Sequence, residues 1–322
     1  MSADWRPCAT PARLAARARL LARARAFFAE RQVLEVDTPL IVNAAVSDVH
    51  IHAAEVQLAG AGAVPHFLHT SPEYAMKRLL AAGSGDIYQI CHVARGFESG
   101  RLHNPEFTLI EWYRLGFSLE ALMDEVEALV RALLAEGAGA RRSERLSYRE
   151  VFRRALGLDP FSAGAPELTA AAAAAGFSGS AASTRDECLE LLMGAQIGPT
   201  LGHGGLTFVY GYPASQAALA RLDPQEPRAA QRFELYAEGI ELANGFHELA
   251  DAAEQRARFA HEQAERARRA LPVRALDERL LAALAQGLPD CAGVALGFDR
   301  TLMLATGAAH IDEVLPFPTA RA

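Results

Sequence analysis

Lysine is nearly missing from this chain: of 32 lysine and arginine residues, Lys77 alone is lysine. With alanine so abundant, the shortage reads as a compositional bias. The lone survivor is then either chance or a place where arginine would not serve, because the two cations differ in shape and hydration. Cysteine is also sparse. Cys8, Cys91, Cys188 and Cys291 lie far apart with no CxxC pair, which excludes a zinc cage or a disulfide framework and fits a reducing cytoplasm. No apolar run approaches the roughly 18 to 20 residues needed to cross a bilayer. A surplus of positive charge is missing too. The net charge of −7 argues against a broad nucleic-acid face and leaves room only for a local basic patch.

What is present is core material. Hydrophobic residues make up 51% of 322, enough for one large α/β unit or two smaller ones. Residues 11–31 carry six arginines and one acid, Glu30, which superficially resembles a transit peptide. Thr10-Pro11 is nevertheless an N-cap and N1 pair, and apolar residues recur at helical spacing up to Phe27 and Phe28. The stretch therefore reads as a folded helix running into VLEVDTP, a strand over 33–37 that ends before Pro39.

Further caps divide the chain. Ser71-Pro72-Glu73 opens a helix that Gly83 closes, and Ser118 opens another to about Glu136. Ser147 with Glu150, and Thr184 with Glu187, are capping boxes. Strand-like runs occupy 87–93, 107–113, 206–212, 233–243 and 293–297, and a long polar helix fills 249–271. Residues 137–205, rich in alanine, glycine and serine, read as a small helical insertion in a single domain. Hairpin-like neighbourhoods in place of strict βαβ alternation indicate an α+β fold with an antiparallel sheet flanked by helices.

Residues 95–113, RGFESGRLHNPEFTLIEWY, carry the most chemistry. Arg95, Glu98, Arg101 and His103 precede a run in which Phe107, Leu109 and Glu111 alternate with Thr108, Ile110 and Trp112. Cations at a turn before an alternating strand suit a hairpin that holds a polyphosphate; the bland alternative is an exposed charged hairpin. In FELYAEGIELANGFHEL, Glu234, Glu241 and Glu248 fall at intervals of seven. As a helix this is a solvated acidic stripe, but Gly239 and Asn244-Gly245 oppose a continuous helix. As one strand, Glu234 and Glu241 face opposite ways unless a bulge near Gly239 resets the register. With no basic neighbour in sequence, such carboxylates need a cation, which Mg²⁺ on a triphosphate would supply. In GVALGFDRTLML a small-residue strand leads into a helix with Arg300 in its first turn, a place suited to a phosphate or carboxylate.

Together these segments resemble the three signature motifs of class II aminoacyl-tRNA synthetases, most nearly those of the lysyl enzymes. VLEVDTP with its helix is similar to motif 1, the dimer-interface element, ARGFESGRLHNPEF to motif 2, and GVALGFDR to motif 3. ELANGFHEL and TSPEYAMKRLL are similar to the lysine-recognition segments. The likeness spans most of residues 11–316. It implies that ATP binds bent, with Arg95 on the α-phosphate and Arg300 on the γ-phosphate. Gly96, Phe97, Glu98, His103, Asn104, Leu242 and Gly297 would surround the nucleotide, and Phe107 would stack on adenine. Glu241 and Glu234 would bind Mg²⁺. For the dicationic amino acid it implies the carboxylates Glu73, Glu111 and Glu248, with Ser71, Pro72, Tyr113, Asn244 and Phe246. Two positions depart from the pattern. The FRxE of motif 2 is replaced so that Glu98 stands one step late, and Ala295 stands where lysyl enzymes usually carry glycine.

A lysyl-tRNA synthetase precedes this core with an anticodon-reading domain of over a hundred residues, for which the present sequence has no room. Catalytic-core-only relatives of this kind resemble the ligases that modify elongation factor P. That resemblance implies activation of lysine or (R)-β-lysine and transfer to a lysine side chain of elongation factor P, by a cytoplasmic homodimer with no stable nucleic-acid or membrane binding. The alternatives are a truncated tRNA-charging enzyme, a non-catalytic regulatory paralogue, and an amide-forming small-molecule synthetase.

Overall fold

The computed structural model describes residues 5–59, 64–134, 142–177 and 184–322. The chain divides into two compact units, Met1–Ala138 together with Leu249–Ala322, and Gly139–Glu248.

In the first unit, helix α1 (Pro11–Glu30) starts as its cap predicts: the Thr10 side chain accepts from the Arg13 amide, with Pro11 following. Its buried stripe is Leu20, Ala24, Phe27 and Phe28, the i, i+4, i+7 pattern of one apolar face. Several of the arginines occupy the wetter faces and pair there, Arg13 with Glu313 and Arg25 with Glu35. The sheet beneath has the order β1 (Leu34–Glu35), β5 (Ile87–Ala94), β6 (Glu106–Leu115), β11 (Cys291–Gly297). β1 is parallel to β5 and the other pairs are antiparallel. The strand expected over 33–37 is thus only two residues long. It is an edge strand, and the chain leaves the sheet ahead of Pro39, which has no amide to donate. A separate small sheet joins β2 (Ile41–Val42), β4 (His66–Leu68) and β3 (Glu55–Val56) in that order.

Strand alternation gives this sheet two faces. On one, Phe28 stacks on Tyr88 at 4.2 Å and meets Trp112 edge-on at 5.3 Å. The Trp112 indole donates to Glu125 on α3 (Leu119–Leu134) at 3.1 Å. Asp299, in the first turn of α9 (Phe298–Thr306), accepts from the Thr108 amide at 2.7 Å and pairs with Arg17 of α1. The other face carries Gln89, Glu111 and Tyr113, beside which β11 sets only Gly293 and Ala295. The α3 helix is described to Leu134; its expected last turn, with the start of the insertion at 137–141, lies outside the described residues. Helix α7 (Ala252–Arg268) is shorter at both ends than expected, opening at the Asp251 N-cap and closing ahead of Pro272. It is followed by α8 (Glu278–Gly287). Among the described residues no helix is long and apolar enough to cross a membrane.

The second unit has the strand order β7 (Arg142–Ser147), β8 (Gly205–Pro213), β9 (Ala229–Ala237), β10 (Ile240–His247). Its short helices are α4 (Tyr148–Leu156), α5 (Ala165–Ala174) and α6 (Arg185–Leu192), and both predicted capping boxes are formed. Tyr148, Phe152, Leu189, Val209 and Tyr212 share its core. The run 233–243 is not one strand, as expected, but the tip of a hairpin. Glu238 (φ 50°) and Gly239 (φ 71°) make a tight turn with two positive φ values, the arrangement that matches the twist of two adjacent strands. Any side chain at Gly239 would bring a Cβ within 2.6 Å of the Pro199 carbonyl oxygen.

Candidate functional site

In the first unit the predicted phosphate-binding groups come together. The loop between β5 and β6 is closed by the Arg95 amide donating to Pro105 at 2.8 Å and anchored by the Gly96 amide on His52 at 2.7 Å. The Arg95 guanidinium donates through Nε to the Thr70 carbonyl at 3.2 Å and lies 5.1 Å from the Phe107 ring. Arg300, in the first turn of α9, donates to the Leu102 carbonyl and meets His103 Nε2 at 2.6 Å. Burial first, then the charges of Arg300 and Arg95, push the His103 pKa down to about 4. The imidazole is therefore neutral near pH 7. Because guanidinium only donates, Nε2 is the acceptor and the ring proton sits on Nδ1. A guanidinium bonded to a neutral, accepting imidazole, with a second cation near enough for its charge to act on that ring, makes a fixed positive locus of the kind that binds phosphates.

Three loop residues are held in different ways. Asn104 is buried and its amide is spent within the protein: Nδ2 donates to the Glu106 carbonyl at 2.6 Å and to Thr319 Oγ1 at 3.1 Å, and Oδ1 accepts from the Thr319 amide. It tethers the loop to the C-terminal segment and keeps no side-chain N–H for a nucleotide. Phe97 adopts φ 66° and is 90% exposed, its ring edge-on to His52. Glu98, the displaced motif 2 acid, comes within 3.8 Å of Arg95.

Next to this locus is a buried carboxylate pocket. Ser71 Oγ accepts from the Glu73 amide at 3.0 Å just ahead of helix α2 (Glu73–Ala81) and donates to Glu111 at 2.8 Å. The Tyr113 hydroxyl donates to the other Glu111 oxygen at 2.8 Å. Burial and then the neighbouring Glu73 charge raise the Glu111 pKa to about 7, against the lowering effects of Ser71, Tyr113 and Lys77. Lys77 is 1% exposed and sits 2.7 Å from Glu73, one helical turn on. Sequence reasoning singled out this lysine without giving it a place; the signal was its being the only one. It missed Gln89, which is buried directly across the strands from Glu111. A cavity of about 620 Å³ borders Ser71, Pro72 and Glu73 along with Ile41, Val42 and Asp277. It does not reach Arg95, Glu111 or Arg300, so only the 71–73 segment is common to it and the pocket.

In the second unit, the register resolves how the glutamates face. Glu241 lies opposite Tyr236, and Asn244 opposite Glu234, because a bulge between Glu241 and Ala243 takes up one residue at Leu242. Glu234, Glu241 and Asn244 therefore share a face. The expectation that Glu234 has no basic neighbour is corrected. Arg232, two residues earlier on that face, donates to it at 2.6 Å, and the Tyr212 and Tyr236 hydroxyls donate at 2.6 and 2.5 Å. Arg232 also reaches Asn244 Oδ1 at 3.2 Å and lies 6.0 Å from the Phe246 ring. Glu248 is buried beside Ala220. Among the described residues no three His, Cys, Asp or Glu side chains gather to hold a metal. Mg²⁺ that arrives on a nucleotide needs only one or two protein carboxylates, and half-buried Glu241 supplies one on the same face as Glu234.

The sequence profile of the family described as tRNA synthetases class II (D, K and N) matches residues 2–321. A protein of Vibrio cholerae named "Elongation factor P--(R)-beta-lysine ligase" is 50% identical over 326 residues, covering 100% of this chain and 99% of its own. Proteins of the same name from Yersinia enterocolitica and Proteus mirabilis are 48% and 47% identical over 326 and 325 residues, again covering at least 99% of each chain.

Proposed function

The chain belongs to the class II tRNA synthetases of the D, K and N group, and on that footing we propose that it is an ATP-dependent ligase that activates (R)-β-lysine or lysine and transfers it to a lysine side chain of elongation factor P. The observation that carries this is the join between two chemistries. Arg95 bonds the Thr70 carbonyl, and the next residue, Ser71, bonds the Glu111 carboxylate. A phosphate-binding cation and an ammonium-binding carboxylate thus share one short segment.

In the first step the amino acid's carboxylate attacks the α-phosphorus of ATP in line, the bond to the bridging oxygen breaks, and pyrophosphate leaves. No general base is needed, since a carboxylate is ionised at neutral pH. Arg95 neutralises the α-phosphate and Arg300 the γ-phosphate, with His103 orienting Arg300; fixed charge and position supply the rate. Phe107 offers its ring to adenine, and Gly96, Phe97, Glu98, Leu242 and Gly297 border the nucleotide. Glu241 would hold Mg²⁺, which adds charge neutralisation at the phosphates. Glu73, Glu111 and Glu248, with Tyr113, Asn244 and Phe246, take the amino acid. In the second step the acceptor's amine attacks the adenylate carbonyl, the amide forms, and AMP departs. We further assign the protein to the cytoplasm as a homodimer joined through α1.

The test is ATP–pyrophosphate exchange, expected with (R)-β-lysine or lysine and lost in Arg300→Ala. Offering labelled amino acid with both elongation factor P and tRNA then fixes the acceptor: label on tRNA alone would sink the reading.

A further inference from the structure

Gln89, on the face that carries Glu111, is a buried amide whose hydrogen-bonding chemistry remains unspent. It lies on β5 directly opposite Glu111, so strand alternation puts both side chains on the same face, the face from which Ser71 reaches Glu111. It is 2% exposed, and neither its Oε1 nor its Nε2 has a hydrogen-bond partner. Buried amides are almost always paired, so an unpaired one this deep points to a missing ligand. Its polar neighbour along β5 is Cys91, whose thiol is pushed up to about 12 by burial first and then by Glu111.

The pocket's other acceptors are partly committed. Both Glu111 oxygens already receive hydroxyls, and Glu73 is paired with Lys77. An ammonium carries three donors and no acceptor, so a carboxylate alone leaves part of it unsatisfied in a dry site. A neutral oxygen beside Glu111 fills the gap without adding a charge to a pocket where burial and Glu73 already disfavour one.

We propose that Gln89 is a specificity-determining residue of the amino-acid pocket, its amide oxygen accepting a hydrogen bond from an ammonium group of the bound amino acid. This rests on the reading of the site as one for lysine or β-lysine. Glu111 supplies the charge and Gln89 the direction. Because an amide accepts only where its carbonyl points, the residue also discriminates between amino acids whose ammonium groups sit one carbon apart.

The test is steady-state pyrophosphate exchange by the full-length protein with (R)-β-lysine and with lysine as the variable substrates. Wild type comes first: no exchange with either would overturn the underlying function and not the placing of Gln89. Given wild-type exchange, Gln89→Met, matched in size but unable to bond, is expected to raise the KM of the preferred amino acid by about tenfold. The KM for ATP should stay within about twofold, and the ratio of kcat/KM between the two amino acids should move towards one. Gln89→Glu, which keeps an oxygen in place, is expected to recover most of the affinity at pH 8. Gln89→Asn withdraws the oxygen by one methylene and serves if the methionine variant does not fold; it should show the same rise. An unchanged amino-acid KM in a folded variant, or equal rises for ATP and amino acid, overturns the proposal.

Discussion

At the scale of the residue, Glu111 makes the site's pH response calculable. Its pKa is raised to about 7, so the carboxylate that a cationic substrate needs is half protonated in neutral solution. The amino-acid KM is expected to fall about tenfold from pH 6 to pH 8 as the group ionises, and initial-rate pyrophosphate exchange in Glu111→Gln should lose that slope. The linked effect on stability has the opposite sign. A folded-state pKa above the unfolded value means the native protein binds the extra proton between pH 4.5 and about 7, so this group's contribution declines as pH rises across that window. Arg232 and Glu234 give a second outcome. Arg232→Met leaves a buried carboxylate with its cation gone, and urea denaturation should show a loss of about 3–5 kcal/mol; adding Glu234→Gln should recover much of it. Arg95, Arg300, Glu73 and Glu111 could be named as candidates from the sequence because motif and chemistry point to the same residues. The Arg232–Glu234 pair could not, although only Phe233 separates the two in QRFELY: the strand was read as starting at Phe233, which left Arg232 outside it, whereas β9 begins at Ala229 and puts the two on one face at i, i+2.

At the scale of the element, the β9–β10 hairpin shows where patterning stops being informative. Runs with caps on both sides were placed correctly: α1, both capping boxes, and the strands β5 and β6. The segment around Gly239 offers glycine without the usual Asn-Gly or Asp-Gly turn pair, since Glu238 takes the first positive-φ position. A bulge and a turn both demand such a glycine, and only tertiary packing chose between them. Gly239→Ala adds strain at φ 71° and a collision with Pro199, and should cost about 2–4 kcal/mol in denaturant unfolding. Gly83→Ala, at φ 87° but with open space around it, should cost only about 1 kcal/mol.

At the scale of the whole molecule, the order of the motifs along the chain was the most legible property, and it led to the family before any geometry was known. The sequence could not specify the division into two compact units. The candidate residues fall in both: Arg95, Glu111 and Arg300 in the first, Glu234, Glu241 and Glu248 in the second. Adenylate formation followed by transfer to protein predicts a separation of phenotypes. Arg300→Ala should abolish exchange and transfer together. A surface change that weakens only acceptor binding should leave exchange intact while slowing transfer, which quench-flow with labelled amino acid would resolve.

Lys77 has a practical consequence. The chain's single ε-amino group lies against Glu73 and is 1% exposed, so an amine-acylating ester has no side-chain target while α2 stays seated. Acylation at position 77 then requires that helix to open, and one peptide in a mass spectrum reads out the event. The protein carries its own footprinting probe, one helical turn from Glu73. Saturating amino acid should slow the labelling, and the concentration that halves its rate would give the affinity with no nucleotide present.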